Sequence, residues 1–241
     1  MKKIWIFLII ITLIAGVYFA TIRDTNNLKS QVLTVDNQGK KQWEKFIRDE
    51  ALTEHQAWQF ERYISLLQEW NKKINLTRII DTSDIIAYHF LDSLQVKKVI
   101  DFTLIKSIAD VGAGAGFPGL PLKIKFPHVL LVLIEVNTKK IAFLEHVIQE
   151  LNLSDCFVCP LDWRTFLRQV PYPVDLFVAR ASLKPDELIR MFKPDCAYKD
   201  AQLIYWASTK WQPEKLEAPY VARREHYTIN AEKRDYVFFK L

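Results

Sequence analysis

Residues 110–119 read DVGAGAGFPG, and four of the chain's six glycines, Gly112, Gly114, Gly116 and Gly119, fall within these ten positions. The apolar, β-branched run at 105–111 before them has the length of a buried strand. The stretch after them, 118–126, suits a helix with proline in its first turn. The glycines therefore form a strand-to-helix turn, where backbone can approach a ligand with no Cβ in the way and the positive end of the helix dipole faces the same space. Such a turn has the shape of a nucleotide site.

Working outward, strand-like runs at 129–135, 157–159, 174–179 and 203–207 alternate with helical segments such as 138–151. This alternation predicts an α/β fold with a doubly wound, mostly parallel sheet. At 224–229 and 236–241 two further strands flank the polar stretch 230–235 as a terminal hairpin. An antiparallel pair there departs from the dinucleotide-binding plan. Upstream, Thr53 and Gln56 resemble a capping box, and Phe60, Ile64, Leu67 and Ile74 recur at helical spacing. A shorter helix, 82–96, carries His89 and Asp92.

With 241 residues, half of them hydrophobic, the chain can bury one sizeable core and a small helical appendage. A net charge of +5 is compatible with a polyanionic partner. Three cysteines, an odd number, point away from a disulfide framework. Cys156 and Cys159 lie at CxxC spacing, but in a strand that spacing sends them to opposite faces, and no second pair completes a metal site.

The uncharged, mostly apolar run at 4–20 is at the short end of what spans a bilayer, and it reads as an uncleaved anchor followed by a polar linker at 24–42. The expected domains are 1–42, anchor and linker; 43–100, a helical subdomain; and 101–241, a Rossmann-like domain.

Two cofactor frames fit the loop. From Gly114 to Gly119 it satisfies G-x-G-x-x-G, the dinucleotide fingerprint. From Asp110 it reads D-x-G-x-G-x-G, which resembles the first motif of class I S-adenosylmethionine methyltransferases and places Asp110 near the charged amino-acid end of that cofactor. Glu135, twenty-three residues after Gly112, would meet ribose hydroxyls in either frame.

Five segments carry a wider resemblance: EWNKKINLTRI (69–79), HFLDSL (89–94), DVGAGAGFPGLPLKI (110–124), KKIAFLEHVIQELNL (139–153) and VARASL (178–183). Together they resemble the glucose-inhibited division protein B family, also called RsmG, bacterial enzymes that methylate guanine N7 of 16S ribosomal RNA. The resemblance implies the class I methyltransferase fold, S-adenosyl-L-methionine as cofactor, and 16S rRNA or the small ribosomal subunit as partner. It also implies a cytoplasmic location for residues 43–241, one copy of the chain and no metal; the apolar run at 4–20 is foreign to a cytosolic ribosome modifier and is the ground for expecting membrane contact.

Carried over by position, Gly112, Gly114, Gly116 and Phe117 belong to the cofactor loop, and Asp162, Trp163 and Arg164 to its adenine side. Arg180, at the end of the fourth strand, stands where methyl transfer would occur. Guanine N7 offers a lone pair and no proton, so attack on a methyl sulfonium needs no general base, and an arginine donating to O6 leaves N7 free. His89 and Asp92 read either as helpers at the cofactor mouth or as structural residues. Two departures accompany the resemblance: Asp162 stands where relatives carry an arginine, and the fifth strand lacks Ala-Leu-Lys-Gly, with Lys210 nearby but out of register.

Two other functions stay in view. One is a nicotinamide oxidoreductase using Gly114 to Gly119, against which an antiparallel seventh strand at the sheet edge would count. The other is a membrane-attached, non-catalytic S-adenosylmethionine or RNA-binding protein. Gly112→Val is expected to block cofactor approach with the fold intact.

Overall fold

A computed structural model describes residues 37–169 and 173–240. By backbone contacts the chain divides into Met1–Lys40 and Lys41–Leu241, and the second unit holds the sheet. The expected anchor at 4–20 lies outside the described residues; among the described residues no helix is long and apolar enough to cross a membrane.

Seven strands build the sheet: β1 Ser107–Val111, β2 Leu130–Ile134, β3 Cys156–Cys159, β4 Leu176–Arg180, β5 Gln202–Ser208, β6 Val221–Ile229 and β7 Glu232–Phe239. Their order is β3-β2-β1-β4-β5-β7-β6. The pairs among β1 to β5 are parallel, while β7 runs antiparallel to both β5 and β6. The antiparallel seventh strand is therefore not at the edge, as expected, but one place in from it. β6 forms the rim with Arg223, Arg224 and Glu225 along it, charges that discourage pairing with another chain.

Strand period two sorts the core. Ile108, Leu131, Leu133, Val178, Ile204, Trp206 and Phe238 face one layer; Ala109, Val111, Val132, Ile134, Phe177, Leu203 and Val237 face the other. Both faces are covered, which is why these strands read as continuous apolar runs.

The helices are α1 Asn37–Asp49, α2 Glu54–Asn71, α3 Gly119–Lys125, α4 Thr138–Glu150, α5 Trp163–Gln169 and α6 Pro185–Leu188. α1 begins within the stretch expected to be a linker to Gln42, because the side chains that bury it, Trp43 and Phe46, lie downstream of its polar first turn. At α2 the capping box is present: Gln56 N–H donates to Thr53 Oγ1 at 3.2 Å, and Thr53 N–H to Gln56 Oε1 at 3.1 Å. α2 buries Phe60, Tyr63, Ile64 and Leu67 against the glycine-loop side of the sheet.

The segment expected as one α-helix at 82–96 is instead a π-helix, Ile85–Leu91, between the single α-turns Thr82–Asp84 and Asp92–Leu94. The Asp92 N–H reaches Ala87 O, five residues back. A widened turn of this kind gathers at functional sites.

The terminal hairpin closes at Asn230-Ala231, a two-residue turn with φ of +46° and +67°. The strands run through Glu232 to Asp235, which polarity had marked as loop; pairing of Tyr227 with Arg234 and of His226 with Asp235 overrides it. Asparagine suits this left-handed geometry and alanine does not. Ala231→Gly is thus expected to raise unfolding free energy by about 0.5–1 kcal/mol, read as a shift of denaturant midpoint at constant slope. An unchanged or lower midpoint would show that the turn is relaxed in the native protein.

Candidate functional site

Between the carboxyl ends of β1, β2 and β4 lies a cleft of about 730 Å³, lined by Gly112, Gly114, Phe117, Glu135, Arg180 and Ser182, with Thr77 and Arg78 from the loop after α2. A hollow of about 790 Å³ at the other ends of the strands, lined by Asp101, Asp175 and Gln202, has no glycine loop beside it. In an open α/β sheet the carboxyl ends are where ligands bind, so the smaller cleft is the site.

The loop is held from beneath. Tyr63 of α2 donates its hydroxyl to the Ala115 carbonyl. Glu135 accepts from Gly114 N–H through Oε2, and from Val136 and Asn137 N–H through Oε1, each at 2.9 Å. Ala113 N–H donates to Ile134 O at 3.0 Å, and Gly116 N–H to Ala113 O at 2.7 Å. Most of the loop's amides are thus consumed internally. Gly114 lies at φ +59°, and a Cβ built there meets nothing closer than the Gly112 carbonyl oxygen at 3.8 Å. Gly112, at φ +67°, differs: its Cβ would stand 2.5 Å from Ser182 Cβ.

Asp110 does not line the cleft. It is fully buried at the end of β1, and Oδ2 accepts from Gly119 N–H at 2.8 Å, fastening the first turn of α3. Oδ1 has no partner among the described residues. Burial pushes the carboxyl up to about 7, against the opposing pull of the Gly119 bond and Arg180. Since the unfolded value is about 3.9, the fold holds this proton between the two values. The stability it contributes is full at low pH, declines as pH rises from about 4, and is lost above about 7.

Asp110→Asn is therefore expected to gain on the wild type between about pH 5 and pH 8, by up to roughly 3 kcal/mol, in denaturant midpoints taken at both pH values. A difference flat with pH would contradict a buried proton.

Arg180, at the end of β4, is held by three hydrogen bonds. Nη1 donates to Asp92 Oδ2 at 2.8 Å and to Tyr88 O at 3.1 Å, and Nη2 to His89 Nδ1 at 3.3 Å. Its guanidinium sits 5.2 Å from the centre of the Phe117 ring. Three of five N–H donors are used in these bonds.

Because guanidinium only donates, His89 Nδ1 must be the accepting nitrogen, so the proton is on Nε2, 3.0 Å from Thr77 Oγ1. Burial, then Arg180, pulls this imidazole down to about 3, so it is neutral. Its ring stacks on Phe117 at 4.3 Å between centroids.

Asp92, wholly buried, gathers the rest: Oδ1 accepts from Tyr227 Oη at 2.7 Å and lies 3.2 Å from Arg234 Nη1. Trp206 Nε1 donates to the Asp92 carbonyl at 3.1 Å. A buried carboxylate with two arginines and a phenol is compensated, so the network stands.

The structure thus brings together Gly112, Gly114, Phe117, Glu135 and Arg180. Gly116 is in the loop but turned into the core, where its Cβ would stand 2.3 Å from Leu120 Cδ1. Asp162, Trp163 and Arg164 do not line the cleft. Trp163 and Phe166 share the inner face of α5 at helical spacing and pack into the core beside Phe177. Arg164 points outward to Glu187, and Asp162 caps α5 through Thr165 N–H at 3.0 Å.

Not foreseen were Thr77, Ser182 and Arg234. Thr77 and Ser182 lay inside quoted motifs with no role attached. Thr77 is fixed by Asn71, which accepts from Leu76 and Thr77 N–H and donates to Thr77 O. Ser182 Oγ is buried with no partner among the described residues. Arg234 reaches the cleft from β7, on a strand that read as a loop. Lys210, past the end of β5, does not line the cleft. The cysteines form no metal cluster among the described residues, and burial pushes the Cys156 thiol up to about 12.

This arrangement suits one class of ligand better than the other. A pyrophosphate needs free amides at the first turn of α3, but Gly119 N–H is already taken by the carboxyl of Asp110, and Gly114 N–H by Glu135. With those amides taken and the Glu135 carboxylate beside Gly114, the loop suits a ligand without phosphate.

Comparison with known proteins agrees. Ribosomal RNA small subunit methyltransferase G of Geobacillus kaustophilus is 43% identical over 138 residues, 56% of this chain and 58% of its own length. Its namesake from Staphylococcus aureus is 39% identical over 170 residues, 70% of this chain and 71% of its own. The match to the Geobacillus relative thus spans little more than half of that protein. The solved structure of human methyltransferase 10 domain containing protein aligns over 77% of this chain and 96% of its own at 15% identity, with a TM-score of 0.50, which shows the fold alone. The family model GidB, rRNA small subunit methyltransferase G, matches residues 56–234, most of the chain and the whole of the cleft, so the chain belongs to that family.

Proposed function

We propose that the protein transfers a methyl group from S-adenosyl-L-methionine to N7 of a guanine in 16S rRNA of the small ribosomal subunit. The observation that carries this reading is the loop chemistry: amides consumed by Asp110 and Glu135, an open backbone face at Gly114, and an unpartnered hydroxyl at Ser182. Those features fit a nucleoside without phosphate and do not fit a dinucleotide pyrophosphate.

When bound, the cofactor supplies an electrophilic methyl on a sulfonium. Glu135, whose Oε2 takes one backbone N–H and keeps a second lone pair, accepts from a ribose hydroxyl. Gly114 lets the ligand lie against bare backbone. Phe117, with His89 stacked behind it, walls off water. Arg180 spends its remaining N–H donors on guanine O6, which orients N7 toward the methyl. No side chain need remove a proton, and neutral His89 is not placed to do so. Asp110 acts from below the site by fastening α3, and Trp163 and Arg164 have no part in it. The protein works as a single copy in the cytoplasm, where its substrate is.

Incubation of the full chain with labelled S-adenosylmethionine and unmodified small subunits, followed by mapping of the modified nucleotide, tests the reading. Label at one guanine N7 is expected. Cofactor binding with no label on any subunit would overturn it.

A further inference from the structure

Next to the cleft runs a second groove, of about 340 Å³, lined by Lys72, Lys73, Asn75, Asn137, Lys139 and Lys140. Two elements distant in sequence build it: the end of α2 with its following loop, and the start of α4. It has no acidic lining. Lys73 pairs with Glu69 at 3.2 Å, but Lys72, Lys139 and Lys140 have no ion pair among the described residues. Lys140 lines both the groove and the cleft, so the two spaces adjoin at this residue. Arg78, exposed at the cleft mouth, is another cation without an ion pair among the described residues.

Cations left without counter-charges on one face repel one another, and a polyanion in contact with them relieves that repulsion while releasing its own counterions. We propose that this groove holds the phosphodiester backbone of the single RNA strand that leads the target guanine into the cleft, a proposal that rests on the reading of the protein as an RNA methyltransferase. Asn75 and Asn137 add neutral donors to phosphate and sugar, and the lysines set register without reading bases. The entering base then passes Lys140 and arrives beside Arg180.

Salt-dependent binding of a short single-stranded oligoribonucleotide to the full chain tests this, in the wild type and in Lys72→Gln/Lys139→Gln, neither residue of which lines the cleft. Loss of two phosphate contacts is expected to reduce the slope of log K against log salt by about 1.4, at ~0.7 per contact, and to weaken binding roughly tenfold near 0.15 M salt. Cofactor affinity stays as in the wild type. Lys98→Gln/Lys215→Gln removes the same charge from outside both spaces and is expected to leave the slope nearly unchanged.

An unchanged slope in the first pair, or an equal loss in both, overturns the groove assignment while methyl transfer by the wild type still upholds the enzyme. A wild type that neither binds the RNA nor methylates subunits overturns both. Retained RNA affinity in Lys72→Gln/Lys139→Gln with loss of binding to phosphatidylglycerol vesicles would make the face a lipid contact and end the proposal.

Discussion

In Gly114→Asn, affinity for S-adenosylmethionine is expected to fall on the order of 10²-fold, about 2.8 kcal/mol, with little loss of stability. Two features of the loop combine here. The backbone at this position is left-handed at φ +59°, a conformation asparagine tolerates better than other side chains. The space above it is empty of protein, so an added side chain meets the ligand and nothing else. Gly112 does not allow this separation. Its added Cβ meets Ser182 Cβ at 2.5 Å on a left-handed backbone, so Gly112→Val disturbs the loop after β4 as well as the ligand, where a largely intact fold was expected. Calorimetry and thermal melting of Gly114→Asn measure both quantities at once. Wild-type affinity in a well-folded variant would remove the loop from the cofactor site.

Arg180→Ala should lower methyl transfer at least tenfold, since a hydrogen bond from a charged donor contributes about 1.5–3 kcal/mol. The structure adds a second effect of comparable size. Asp92 is fully buried, and without Arg180 it retains only Arg234 and Tyr227. Removing one partner of a buried pair costs about 3–5 kcal/mol, less here because partners remain. The variant is therefore expected to melt early as well as react slowly. Single-turnover rates measured well below the melting temperature keep the two effects apart. Wild-type turnover there would mean that another group orients the base.

How much of this was legible depended on whether a residue's neighbours were near in sequence. The glycine loop, its flanking strand and helix, the Thr53 capping box and the alternation of β1 to β5 are local patterns, and the structure has them. Glu135 was found because acids at that strand end have one spatial reason to be there. Where the side chains of Trp163 and Arg164 lie was not legible, because it is set by partners distant in sequence: Trp163 packs against Phe177 and Arg164 pairs with Glu187. Arg234 and the extent of β7 were hidden because a charged strand takes its pairing from β5, some thirty residues upstream in register. The π-helix left no trace in composition. Its wider turn places His89 on Phe117 while Asp92 faces Arg180, a geometry set by partners on the glycine loop, β4, β6 and β7.

Asp92 and Tyr227 are 135 positions apart. Contacts this distant form late, after the chain has found most of its other pairings. Until β6 and β7 add to the sheet, the Asp92 carboxylate is deprived of Tyr227 and Arg234 and has Arg180 alone as its cationic partner. Docking of the hairpin and completion of the Arg180 cradle are for that reason one cooperative event. Loss of the hairpin's contacts would therefore be felt at Arg180, although β6 and β7 lie far along the chain from the glycine loop.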